Sequence, residues 1–231
     1  MAVDITSIVN SILADPKPVI MFDTCALLDI IRCGSRDNIS PEVITSAIEL
    51  VNSSDKWLLA CNVVEVEWNN NVSLVEEELV KQVNRTHKSA LVFKGALDKT
   101  ESLEKWVYQK SIVDYGLETE LKKISKSLLD KIDIITEDPN CLSKASSRLI
   151  NNLPPASKGK SEFKDCLIFE HCLEVGVKLK FAGFKNTVIF VSSNKSDFGK
   201  PFDSTSSLYS EFQNSKILYV GDIRTAANLS K

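Results

Sequence analysis

Four carboxylates stand where a fold could gather them. Asp23 closes the apolar run Val19-Ile20-Met21-Phe22, and Glu67 follows the short apolar run Trp57-Leu58-Leu59-Ala60-Cys61 by six residues. Asp165 opens the apolar stretch Cys166-Leu167-Ile168, and Asp197 lies just beyond Thr187-Val188-Ile189-Phe190-Val191-Ser192. Carboxylates gathered without an imidazole or thiolate among them are hard oxygen ligands, suited to Mg²⁺ or Mn²⁺ rather than to zinc. Such a pocket repels itself when empty and needs a cation. The chain has only two histidines. His171 lies six residues beyond Asp165, a poor match to one helix face, and reads as a satisfied histidine rather than a general base. His87 sits in a charged stretch and gives no signal.

The elements that must position these acids are legible from periodicity. Asp4 caps a helix whose apolar residues Ile5, Ile8, Val9, Ile12 and Leu13 share a face. Strands are expected at 19–22, 57–61, 187–192 and 216–220, because each is a short apolar run bounded by polar residues. Helical spacing resumes from Ala26 to Gly34, after Ser40-Pro41, and from about Ser161 through Leu173. Asn62 with Glu65 has the form of a capping box opening a long helix. From about Val72 to Asp138 the chain is charged, poor in Gly and Pro, and helical in period, which reads as two or three helices forming an arm or lid. Apolar strands alternating with helices predict a central parallel sheet, whose functional end is the carboxyl end of its strands.

Each acid also has a bland role to weigh. Asp23 could cap the next helix, Asp165 could complement a helix dipole, and Asp197 could cap a loop. Glu65 and Glu67 are about 200° apart on a helix, so only one can face a given pocket. Glu65 has the capping-box role, which favours Glu67. Lys158-Gly159-Lys160-Ser161 echoes the end of a phosphate-binding loop, but Pro155 stands where its first glycine is required and no strand leads into it. Lys158, Lys160, Lys164 and Lys195 read either as a basic rim for nucleic-acid phosphates or as a solvated loop. Trp57 and Trp68 read as packing residues, and Trp106 as either a packing residue or a base-stacking platform.

In their local sequences the four acids resemble the motifs of PIN-domain nucleases. Ile20-Met21-Phe22-Asp23-Thr24-Cys25 is similar to the opening strand of that family, with Cys25 in place of its usual Ser or Asn. Val63-Val64-Glu65-Val66-Glu67-Trp68, Lys164-Asp165-Cys166-Leu167-Ile168 and Val191-Ser192-Ser193-Asn194-Lys195-Ser196-Asp197-Phe198 are similar to its second, third and fourth acidic segments. The resemblance implies one PIN-like domain over 1–231, an α/β three-layer sandwich with a central parallel sheet flanked by helices. Its core would span about 18–70 and 158–222, with a helical insertion at about 72–150. It further implies metal-dependent hydrolysis of phosphodiester bonds in single-stranded RNA. Asp23, Glu67, Asp165 and Asp197 would be the catalytic and metal-binding groups, and Thr24, Ser193 and Asn194 supporting ones. Homodimerisation and a protein partner on the insertion are consistent with that family.

Composition bounds the alternatives. The chain has 231 residues, 43% hydrophobic and 26% charged, which is ample for a buried core. No run of about 18 apolar residues is present, so no membrane span is expected. No basic and apolar leader opens the sequence, and six cysteines without a C-x-x-C pair read as reduced core thiols, together predicting a cytoplasmic protein. A net charge of -3 argues against a whole-surface basic footprint but leaves room for a local one. Two other functions compete: a PIN-like module that binds nucleic acid or protein with weak or no cleavage, and a phosphatase with Asp23 as nucleophile. The latter is disfavoured because Cys25 stands where the second acid of an Asp-x-Asp pair belongs.

Overall fold

In the computed structural model, residues 2–100, 103–104, 106–107, 110–156 and 162–231 are described. Along the chain these form α1 (Ile5–Ala14), β1 (Val19–Phe22), α2 (Thr24–Arg32), α3 (Glu42–Asn52), β2 (Trp57–Cys61) and α4 (Asn62–Asp98). A 3₁₀ turn at Ile112–Tyr115 leads to α5 (Leu117–Lys131), β3 (Asp133–Ile135) and α6 (Pro139–Asn151). The chain then runs through α7 (Phe163–Phe181), β4 (Val188–Val191), α8 (Lys195–Phe198), α9 (Tyr209–Asn214), β5 (Ile217–Val220) and α10 (Ile223–Leu229).

The five strands form one all-parallel sheet in the order β3-β2-β1-β4-β5. Every residue of β1 and β4 is buried, which explains why both read as unbroken apolar runs: a parallel strand covered on two faces has no polar side. Helices α2, α3, α5 and α10 pack among themselves in one layer, while α1 and α6 pack on α7 in the other. The result is the expected three-layer α/β arrangement. From β1 the order runs outward through β2 to β3 in one direction and through β4 to β5 in the other. That reversal leaves a crevice at the carboxyl ends of β1 and β4, the usual place for a ligand in an open parallel sheet.

Three expectations are corrected. The stretch expected to hold only helices contributes β3, which pairs with β2 and is continued by a bridge from Val3 to Ile135. Three residues are too few to show a period, and Asp133 on an edge is exposed. The start of α4 is not a capping box: Cys61 is the N-cap residue, no side chain caps it, and Glu65 is exposed. The Asn62 carboxamide oxygen is instead buried without a hydrogen-bond partner. Nor does the helical stretch begin as a free arm. Val64, Trp68, Val72, Val75, Leu79 and Val83 of α4 are buried along one stripe, and α4 packs on α2 and α5. The Trp68 indole N–H donates to Ser125 Oγ at 2.9 Å, and that hydroxyl donates to the Leu27 carbonyl at 2.8 Å, tying the three helices together. The far part of α4 turns three consecutive apolar residues, Leu91, Val92 and Phe93, outward.

Candidate active site

Asp23 follows the last residue of β1, and its amide continues the ladder by donating to the Val191 carbonyl at 3.0 Å. Because Phe22 is in register with Val191, the next residues, Asp23 and Ser192, are neighbours. Ser192 Oγ donates to Asp23 Oδ2 at 2.6 Å, and both residues are buried. Asp23 occupies the N-cap position of α2 yet makes no side-chain cap hydrogen bond of normal geometry, so capping does not account for it. Burial raises its carboxyl to about 6 despite the Ser192 hydrogen bond, and the neighbouring Glu67 adds to the rise.

The remaining acids arrive from three other segments. Glu67 lies in the second turn of α4, where Thr24 Oγ1 donates to its Oε2 at 2.8 Å and the Lys164 ammonium stands 3.4 Å from its Oε1. Glu67 therefore faces the crevice, while Glu65 faces solvent. Asp165 is in the first turn of α7. A helix N-terminus alone would lower a carboxyl, but Asp165 is raised to about 7 by burial and by the negative charges of Asp23, Asp197, Glu67 and Glu162. Asp197, in the short α8, accepts a hydrogen bond from the Asn194 amide. Phe198 beside it is fully buried and meets Phe190 edge-on at 5.1 Å between ring centroids, which fixes α8 on the sheet. Behind the loop, the Tyr219 hydroxyl lies 3.2 Å from the Ser192 carbonyl and 3.1 Å from that of Gly199.

A family profile described as PIN domain matches residues 20–198. The chain belongs to the PIN-domain family. The match begins within β1 and ends at Phe198, so it encloses all four acids. No curated protein and no solved structure matched the chain.

The supporting residues of this PIN domain divide differently from the sequence reading. Thr24 serves Glu67, and Asn194 serves Asp197. The Ser193 hydroxyl favours the Asp29 carboxylate, while the hydroxyl that donates to Asp23 belongs to Ser192. Asp29 was missed altogether. It is buried on α2 with Arg32 Nη1 at 3.4 Å, and its signal was a lone carboxylate inside the apolar run Ala26-Leu27-Leu28-Asp29-Ile30-Ile31 with an arginine three residues on. Glu162, buried at the start of α7, was missed too. Of the four lysines, Lys164 contacts Glu67 and Lys195 opens α8, while Lys158 and Lys160 lie outside the described residues.

The donor chemistry of the PIN domain site fits a hard divalent cation. All four acids offer oxygen, and their mutual repulsion at Asp165 is what a cation relieves. Cys25 offers no competing thiolate, because burial and then Asp23 push its thiol well above the usual range. The His171 ring nitrogens are taken up by the Leu167 carbonyl at 2.9 Å and the Thr136 carbonyl at 3.3 Å. Among the described residues, no group of three or more His, Cys, Asp or Glu side chains already stands as a metal cage.

Proposed function

We propose that this PIN domain is a metal-dependent endoribonuclease of the cytoplasm, hydrolysing phosphodiester bonds of single-stranded RNA to leave 5′-phosphate and 3′-hydroxyl ends. The observation that carries the reading is the convergence of four acids from separate segments at the switch point of the sheet, close enough that Asp165 feels Asp23, Glu67 and Asp197 together. Asp23, Glu67, Asp165 and Asp197 would hold Mg²⁺ or Mn²⁺, which when bound lowers the pKa of an attacking water and offsets charge on the scissile phosphate. Ser192 fixes the Asp23 carboxylate, Thr24 aims Glu67, and Asn194 aims Asp197. Lys164 supplies a positive charge at the rim of an otherwise acidic centre, where a phosphate must approach. The buried face of Asp23 excludes water from one side of the site.

A second reading, a nucleic-acid-binding module with weak or no cleavage, is favoured by the Lys164 ammonium that already neutralises Glu67. Labelled single-stranded RNA incubated with Mn²⁺, Mg²⁺ or EDTA separates the two. The nuclease reading expects metal-dependent cleavage that Asp23→Asn and Asp165→Asn each reduce at least about a hundredfold. Retained RNA binding without cleavage in any metal would support the module instead.

A further inference from the structure

A cavity of about 320 Å³ lies beside the acidic centre, walled by Asp29, Asn38, Ser40, Lys195, Phe202 and Arg224 among others. It shares its wall with the site. Ser193 and Lys195 line it, and the residues alternating with them, Ser192 and Asn194, hold Asp23 and Asp197. Most of its charges are already committed: Asp29 to Arg32 and Arg224 to Glu42, at 3.4 Å and 2.9 Å. Lys195 differs, because among the described residues its ammonium enters no hydrogen bond or ion pair.

Phe202 is the second anomaly. Its φ is +62°, a region that bulky residues rarely adopt, and its side chain is 62% exposed. Backbone strain and an exposed aromatic ring together gain the folded chain nothing by packing. An unburied ring held at the lip of a cavity next to an unpaired ammonium has the chemistry of a base-stacking platform with a phosphate contact. The cavity is at the small end of the range for ligand pockets, in keeping with one nucleobase.

We propose that this cavity is a nucleobase subsite: an unpaired base adjoining the scissile phosphate enters it and stacks on Phe202, while Lys195 contacts the backbone phosphate between the two sites. Asn38, which also lines the cavity, would offer its amide to the base. The inference rests on the nucleic-acid reading above and adds to it the residues that choose where along the strand the acids act.

The test is equilibrium binding by fluorescence anisotropy, in Mg²⁺, to labelled single-stranded oligonucleotides made as RNA and as DNA, each also with one abasic position walked along the strand. The protein carries Asp165→Asn so that binding is read whether or not the parent cleaves. The expected result is a roughly tenfold loss of affinity when one particular base is missing and a similar loss for Phe202→Gly on the intact strand. The two losses should not add. Phe202→Gly should melt no lower than its parent, because glycine relieves the positive φ, and Phe202→Trp should keep the affinity. Lys195→Ala should reduce the slope of log affinity against log salt by about 0.7. Equal effects on RNA and DNA assign the subsite to the base alone, and an effect on RNA only assigns it to RNA. Unchanged affinity in Phe202→Gly, an abasic penalty that persists in that variant, or no binding of any strand would overturn the proposal. Failure of cleavage in the parent with these binding effects intact would overturn the nuclease reading and leave the subsite standing.

Discussion

Asp23 is restrained by one hydroxyl and surrounded by apolar strand residues, so its charge is costly when no cation is present. The carboxyls of Asp23 and Asp165 sit at about 6 and about 7 against an ordinary 3.8. The folded chain therefore holds protons that the unfolded chain has released, and without metal its stability falls as pH rises from about 4 through about 7. Urea denaturation in EDTA should give a lower midpoint at pH 8 than at pH 5, and Mn²⁺ should narrow the gap. Asp23→Asn should stabilise the metal-free protein at pH 8 by on the order of 2 kcal/mol while removing cleavage. Ser192→Ala and Ser193→Ala form a paired test on the same loop: the first should slow cleavage about tenfold and the second much less, measured as kcat on the labelled RNA. The sequence left Ser192 and Ser193 indistinguishable in kind. Only the pairing of Phe22 with Val191 decides which hydroxyl stands beside Asp23, and strand register is not a property of either segment alone.

Among the elements, α7 does two jobs: its first turn presents Asp165, and its body is clamped between α6 and the sheet. The clamp is Arg148 of α6, buried with ion pairs to Glu170 and Glu211 and with its guanidinium 4.8 Å from the Phe169 ring centroid. Arg148→Ala would leave Glu170 buried without its partner and should cost about 3–5 kcal/mol in chemical denaturation. Arg148→Met, which fills the space but leaves the same charge, should fold little better, whereas pairing it with Glu170→Gln should recover much of the loss. Gly176 lies where α7 crosses β5, and a Cβ there would come within 2.6 Å of Ile217 and 3.0 Å of the Ser215 carbonyl. Gly176→Ala should therefore cost about 1–3 kcal/mol by overpacking. Four of the five strands were legible because burial on both faces writes a continuous apolar run, and the helices carrying Glu67 and Asp165 by their apolar period, whereas the four-residue α8 that carries Asp197 is too short to show one. β3 was not, since three edge residues with an exposed Asp carry no such mark. The capping box failed for a different reason: its residue types were right, but the Cys61–Asn62 junction enters the helix without turning the Asn62 side chain to the first amides.

Viewed as a whole molecule, the chain commits one helix to both its interior and its periphery. Leu79 of α4 is fully buried, whereas Val92 and Phe93 are about 70% exposed. Leu79→Ala should cost about 2–5 kcal/mol, and replacing Leu91, Val92 and Phe93 together by serine should change stability by less than about 1 kcal/mol, both read from denaturant midpoints. No helix among the described residues is long and apolar enough to cross a membrane. The sequence could mark residues 72–150 as charged and helical, but not that the first turns of that stretch continue a core helix, because a buried stripe on a long polar helix looks the same as a solvated one until its partners α2 and α5 are placed. The order of the strands has one more consequence, in time rather than space. The Ser192 hydroxyl reaches Asp23 across 169 residues of sequence, and β4 lies between β1 and β5 in the sheet. Contacts of such separation form late, after the intervening loop entropy has been overcome. A chain still being synthesised, or one cut before β4, has Asp23, Glu67 and even Asp165 but no strand to complete their setting. The acidic centre thus comes into being only with the finished fold, so unfinished copies of the chain lack it.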